Sequence, residues 1–112
     1  VPNLKGVIGE MGHDGPDEPK AGAPRTIIMA AQQAVAESVE FKHTVLCVNT
    51  RQYWDMDAHN IYHGPGGWNR DVNKWRQFGN ARPYHYLGSP WVFAQAGTGF
   101  GEAMLKLVRK DQ

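Results

Sequence analysis

The run His43-Thr44-Val45-Leu46-Cys47-Val48-Asn49 decides how this chain is to be read. It is β-branched and apolar without alternation, which predicts a strand covered on both faces, as in a parallel sheet. A parallel neighbour requires a crossover, and the preceding residues supply one. From Arg25 to about Val39, Ile28, Ala31, Val35 and Val39 recur near a helical spacing with Ala and Gln between them. Residues 4–9, Leu-Lys-Gly-Val-Ile-Gly, read as an earlier short strand centred on Val7 and Ile8. Strand, helix and strand at this spacing form one βαβ unit with a right-handed crossover.

Around that unit the chain is less regular. Glu10 to Pro24 is rich in Gly and Pro and reads as a loop long enough to form a functional rim or lid. Thr50 to Ala81 is polar and aromatic, carries Gly64-Pro65-Gly66-Gly67, and offers only a short helix across Arg70 to Gln77. A final helix is better marked. Ser89 suits an N-cap and Pro90 the first helical position. Phe93, Gly97, Phe100, Met104 and Leu107 then give an apolar stripe, and Glu102 with Lys106 an i,i+4 pair. Gly97, Gly99 and Gly101 each weaken that helix by about 1 kcal/mol relative to Ala, so packing must hold it.

The chain has 112 residues, which is one domain at most, with 41% hydrophobic and 21% charged residues, an ordinary globular balance. Its net charge of +1 is scattered, which argues against nucleic acid as a partner. No apolar run approaches the roughly 20 residues of a membrane span, and no signal sequence is visible, so a soluble chain without a membrane partner is expected. It begins at Val1-Pro2-Asn3, without an initiator Met, as a processed or truncated piece would. Two strands and two helices leave a sheet edge open and apolar helix faces uncovered. Further strands are therefore expected from another polypeptide, an excised N-terminal part or a second copy.

Chemistry centres on Arg82-Pro83-Tyr84-His85-Tyr86-Leu87-Gly88-Ser89. His85 precedes a helix, where its ring can be aimed into a cleft at the carboxyl ends of parallel strands. It reads either as a general base or as a ring packed against Tyr84 and Tyr86. A histidine base in an esterase needs a nucleophile, and the only serines are Ser38, on a helix without a Gly-rich elbow, and Ser89, the N-cap. Neither suits. Cys47, inside its apolar run, reads as a small buried residue rather than a nucleophile.

The position three residues before His85, where an acid often fixes the tautomer, is Arg82. Asp55 and Asp57 follow the second strand and are candidate acids or orienting residues, or else solvated loop acids. Glu10, His13 and Tyr84 are candidates for a substrate rim. A metal site through His13, Asp14, His59 and His63 lacks a third placed ligand, and no cofactor is expected. Neither glycine-rich stretch is a phosphate loop. The aromatics Tyr53, Trp54, Tyr62, Trp68, Trp75, Tyr84 and Tyr86 suit a satellite core, with one or two of them open to a sugar face.

The order of these features resembles the C-terminal half of the sialate O-acetylesterase-like carbohydrate esterases, a branch of the SGNH hydrolases. The resemblance is carried by Val7-Ile8-Gly9-Glu10-Met11-Gly12, the Gln-rich helix, Glu40-Phe41-Lys42, the strand to Asn49-Thr50, Tyr53-Trp54-Asp55, Tyr84-His85-Tyr86-Leu87-Gly88-Ser89 and Phe100-Gly101-Glu102-Ala103-Met104. It spans nearly the whole chain and is weakest from Ala58 to Gly79.

The resemblance implies that residues 1–112 are the C-terminal portion of one SGNH-type esterase domain, a flavodoxin-like, doubly wound parallel sheet. It implies that His85 matches the catalytic histidine, which activates a serine carried near the start of the full domain. It implies an acetylated carbohydrate as substrate, a complementary N-terminal segment or second chain bearing that serine, and a secreted or periplasmic setting. The Gly-Asp-Ser-type segment and the Gly and Asn oxyanion donors have no counterpart in this chain. The alternative is a non-catalytic structural or sugar-binding module with an esterase-like fold, which the missing serine and Arg82 favour.

Overall fold

The computed structural model describes residues 3–110. The chain is α/β, with a two-stranded parallel sheet and several helices. Strand β1 (Gly6–Glu10) pairs with β2 (Val45–Asn49) in a register that sets Gly6 opposite Val45 and Glu10 opposite Asn49. Helix α1 (Pro24–Glu37) makes the crossover between them. Pro24, which needs no N–H at a helix start, opens it.

Strand alternation puts a helix on each face. On one face Gly9 is in close approach to Phe100 of α4 (Pro90–Arg109), since a Cβ on Gly9 would meet the Phe100 ring at 2.8 Å. On the other, Glu10 meets Gln33 of α1. The sheet is nevertheless thinly covered. Every residue of β2 is only partly buried, so the expectation of a strand covered on both faces is not met by these elements alone. Helix α1 explains part of this. It turns Met29 and Ala36 inward, whereas Ile28 and Val35 of its apolar repeat lie largely exposed and Val39, beyond the helix end, is 81% exposed.

The outer edge of β1 is met by a side chain in place of a neighbouring strand. Because Gly6 N–H donates to Thr44 O at 2.9 Å, the alternation of a parallel ladder turns the peptide groups of Val7 and Gly9 outward. There the Gln32 side chain donates to Gly9 O at 3.1 Å and accepts from Met11 N–H at 2.9 Å. Its amide takes the two bonds that a neighbouring peptide group would make.

The best-covered part of the molecule is the connection. Trp54, Ala58, Trp75 and Leu87 form a buried cluster, with Ile61, Tyr62, Trp68, Phe78 and Tyr86 packed against it. It includes helix α2 (Met56–His63), which the sequence reading missed, and α3 (Val72–Trp75), shorter than the helix expected over 70–77, with a 3₁₀ turn before it at Trp68–Asp71. Asp55 caps α2 by accepting from Ala58 N–H at 2.9 Å. The signal for α2 was therefore present, as an Asp cap followed by Ala58, Ile61 and Tyr62 at steps of three and four.

Helix α4 begins at Ser89 and Pro90 as expected, but its expected stripe is met only in part, at Leu107, which is buried, and Phe100, which packs on Gly9. Val92, Ala96, Gly99, Ala103 and Leu107 face inward, while Phe93 is 56% exposed. The smaller residues win the inner face because the helix packs close. A Cβ on Gly99 would come 2.0 Å from the Tyr53 hydroxyl, so a larger residue there would force the Tyr53 ring to move. Overall the chain is extended for its size, with a radius of gyration of 16.6 Å against about 13 Å for a compact domain of similar length. Among the described residues no helix is long and apolar enough to cross a membrane.

Candidate functional site

The carboxyl ends of β1 and β2 are joined by one hydroxyl network. Thr50, the first residue after β2, donates its single hydroxyl proton to Glu10 O at 2.6 Å. Its oxygen lies 2.9 Å from the Tyr86 hydroxyl, so Tyr86 must be the donor in that bond. Gly12 N–H then donates to both oxygens, at 3.2 Å to Thr50 Oγ1 and 3.1 Å to Tyr86 OH. Gly12 has to be glycine, because a Cβ would lie 2.4 Å from the Arg51 nitrogen and 2.7 Å from Thr50 Oγ1.

This network brings the turn Pro83–Gly88 over the carboxyl edge of the sheet. Within it Tyr86 (φ 53°, ψ 34°) and Leu87 (φ 59°, ψ 7°) both take left-handed conformations, which cost on the order of 1–2 kcal/mol each for residues with a Cβ. The surroundings hold them there. Leu87 is fully buried, its N–H donates to Arg82 O, and its carbonyl accepts from Asn80 and Ala81 N–H at 3.0 and 3.1 Å.

His85 sits immediately before these two residues, and its ring is exposed. It meets the Tyr84 ring edge-on at 4.6 Å, and its N–H donates to Arg82 O at 2.9 Å. Tyr86, by contrast, turns inward toward Trp54 and Phe93. The histidine is therefore not sandwiched between two tyrosines. It stands beside one of them on the exposed surface of the turn.

The loop of residues 11–23 covers the same edge. Asp14 N–H donates to Pro83 O at 3.1 Å, and Arg51 pairs with Glu18 and donates to Asp17 O. The Arg51 guanidinium holds the Glu18 carboxyl below its ordinary range. In this loop His13 Nδ1 lies 2.5 Å from Asp14 Oδ2, out of line for a hydrogen bond, with Arg25 Nη1 at 4.0 Å from the same oxygen.

Several sequence candidates are placed elsewhere. Glu10 is 5% exposed and accepts from Gln33, which corrects the expectation of a rim position: its side chain points to the α1 face. Asp55 is a buried cap. Its second oxygen accepts the Ser89 hydroxyl at 2.6 Å, and Ser89 in turn accepts from Val92 N–H at 3.4 Å, so one carboxylate and one hydroxyl cap α2 and α4 together. Both Asp55 oxygens are thus engaged away from His85, and Asp57 is exposed on the first turn of α2. Among the described residues no acid hydrogen-bonds the His85 ring. Tyr84 is exposed, and His13 is half-buried in the loop after β1.

The other candidates also find definite places. Arg82 donates to the Tyr62 hydroxyl at 3.1 Å and lies 5.3 Å over the Trp68 ring, an aromatic anchor rather than a partner for His85. His59 and His63 share one face of α2 with rings 4.5 Å apart, and His59 Nδ1 accepts from Trp54 Nε1–H at 3.1 Å. Burial and the His63 charge push the His59 pKa down. Burial raises the Cys47 thiol, helped by the charges of Glu10 and Glu37, which keeps it from acting as a ready thiolate.

Sequence reasoning missed Thr50 and Gly12, which organise the site. Their signal was positional, a Thr directly after one strand and a Gly two residues after the other. No family model matches the chain, and no curated protein or solved structure matches it.

Proposed function

We propose that the chain is the C-terminal part of a flavodoxin-like, SGNH-type carbohydrate esterase domain that removes acetyl groups, with His85 as its general base. The observation that carries this reading is the exposed His85 ring on a strained, tightly anchored turn over the carboxyl edge of a parallel sheet, the usual ligand edge of such sheets. The thinly covered sheet, the exposed apolar face of α1 and the extended overall shape support a further segment that completes the sheet and brings the serine.

In the assembled site the serine attacks the acetyl carbonyl, and His85 takes its proton and later returns it to the sugar oxygen. Oxyanion donors from the complementary segment hold the tetrahedral intermediate. Tyr84, exposed beside His85, and His13 line the rim where the acetylated sugar enters. These groups act only as a unit, so the isolated chain is inactive. The test is hydrolysis of p-nitrophenyl acetate and acetylated xylan by the serine-bearing assembly. His85→Ala is expected to cut turnover by roughly 10²- to 10⁴-fold, and unchanged turnover overturns the reading.

A second reading, a non-catalytic sugar-binding module, is favoured by one observation: among the described residues His85 has no acidic partner. Calorimetric binding of xylan fragments by an assembly that releases no acetate would select it.

A further inference from the structure

We infer that Tyr86 is a positioning residue for His85, acting through the lock its hydroxyl makes with Thr50 and Gly12; the inference rests on the reading of His85 as general base. His85 itself has little to hold it. Among the described residues its one aromatic ring neighbour is Tyr84, which is largely exposed, and its backbone is tied to Arg82 within the same turn. The turn is fixed to the rest of the molecule from two sides. On one side Leu87 is driven into the aromatic core and its carbonyl is held by Asn80 and Ala81. On the other, besides the backbone bond from Asp14 to Pro83, the Tyr86 hydroxyl reaches the segments that leave both strands.

The direction of the protons makes the tyrosine hydroxyl specific. Thr50 spends its only proton on Glu10 O, so the lock needs a donor to Thr50 that also accepts from Gly12 N–H, and a phenol does both. Phenylalanine would fill the same space and do neither. Without the hydroxyl, residue 86 keeps a left-handed backbone that on the sheet side is backed by the Asp14–Pro83 bond, three residues away, and the adjacent His85 is held less firmly against the strand ends. Small displacements of a general base fall on the chemical step more than on binding.

The experiment compares Tyr86→Phe, Thr50→Ser and Thr50→Val with the parent in the serine-bearing assembly, and reads the His85 imidazole resonances by NMR in the same proteins. Tyr86→Phe and Thr50→Val are expected to lower kcat on the order of 10- to 100-fold with KM nearly unchanged, and to shift and broaden the His85 resonances. Thr50→Ser, which keeps the hydroxyl, is expected to retain kcat and the parent spectrum. Parent kcat and parent resonances in Tyr86→Phe overturn the inference, as does an equal loss in Thr50→Ser and Thr50→Val. If Tyr86→Phe does not fold, the two Thr50 variants decide alone. Failure of the general-base reading looks different: His85→Ala then keeps its turnover. With that variant inactive and Tyr86→Phe fully active, only the positioning role is lost.

Discussion

In β2 every residue from Val45 to Asn49 keeps part of its surface exposed, whereas in the connection Ala58 and Leu87 are fully covered and Trp54 and Trp75 nearly so. The regular βαβ half thus has the cleaner secondary structure and the poorer core. The irregular half has short helices and turns but packs its large aromatic side chains together. Regular backbone hydrogen bonding satisfies polar groups, yet it does not by itself bury apolar area. Two strands with one helix on each face cannot enclose their own side chains, while several aromatic-bearing segments folded onto one another can.

The largest expected difference between the two regions comes from truncating the connection's core. Trp75→Ala is expected to lower unfolding stability by about 3–5 kcal/mol in urea titrations. Leu46→Ala, on the half-exposed strand β2, is expected to cost well under half as much; equal losses would break the comparison.

Next comes the shared cap. Ser89→Ala removes the α4 cap and strands the buried Asp55 oxygen, which predicts a loss of about 1–3 kcal/mol. The measurement is thermal unfolding, with Ser89→Thr retaining most of the stability. A cost near zero would mean that the two helices are held by packing alone.

A smaller effect is expected from pH. Burial holds the folded pKa of His59 below its ordinary 6.5, so the unfolded chain takes up that proton first. The contribution to stability is full above the unfolded pKa and is lost as pH falls from about 6.5 toward the lower folded value. Protonation of Nδ1 would also break the bond from Trp54. His59→Gln is expected to flatten the slope of stability against pH between 7 and 5; an unchanged slope would assign it to other groups.

The smallest effect belongs to the exposed end of the regular half. Val39→Ser is expected to stay within about 0.5 kcal/mol of the parent in the isolated chain. A larger loss would show that Val39 is covered in solution.

The sequence by itself determined the local elements. The unbroken run before Asn49 marked β2, and the Ala- and Gln-rich stretch marked α1. Ser89-Pro90 marked the start of α4, because strand periodicity, helix propensity and caps are local. It also singled out His85, though its support there came largely from the resemblance. Only the tertiary structure decided which faces are inward. The α1 repeat lies outward, and in α4 the inner face is the equally periodic set Val92, Ala96, Gly99, Ala103 and Leu107, of which the expected stripe held Leu107, since close approach at Tyr53 favours a small residue where size-weighted hydrophobicity does not. The same holds at the candidate site. Asp55, an acid in plain view of the sequence, is consumed by two helix caps. Gly12, Thr50 and Tyr86, as many as 74 positions apart in sequence, meet only because the ends of two parallel strands and one strained turn converge.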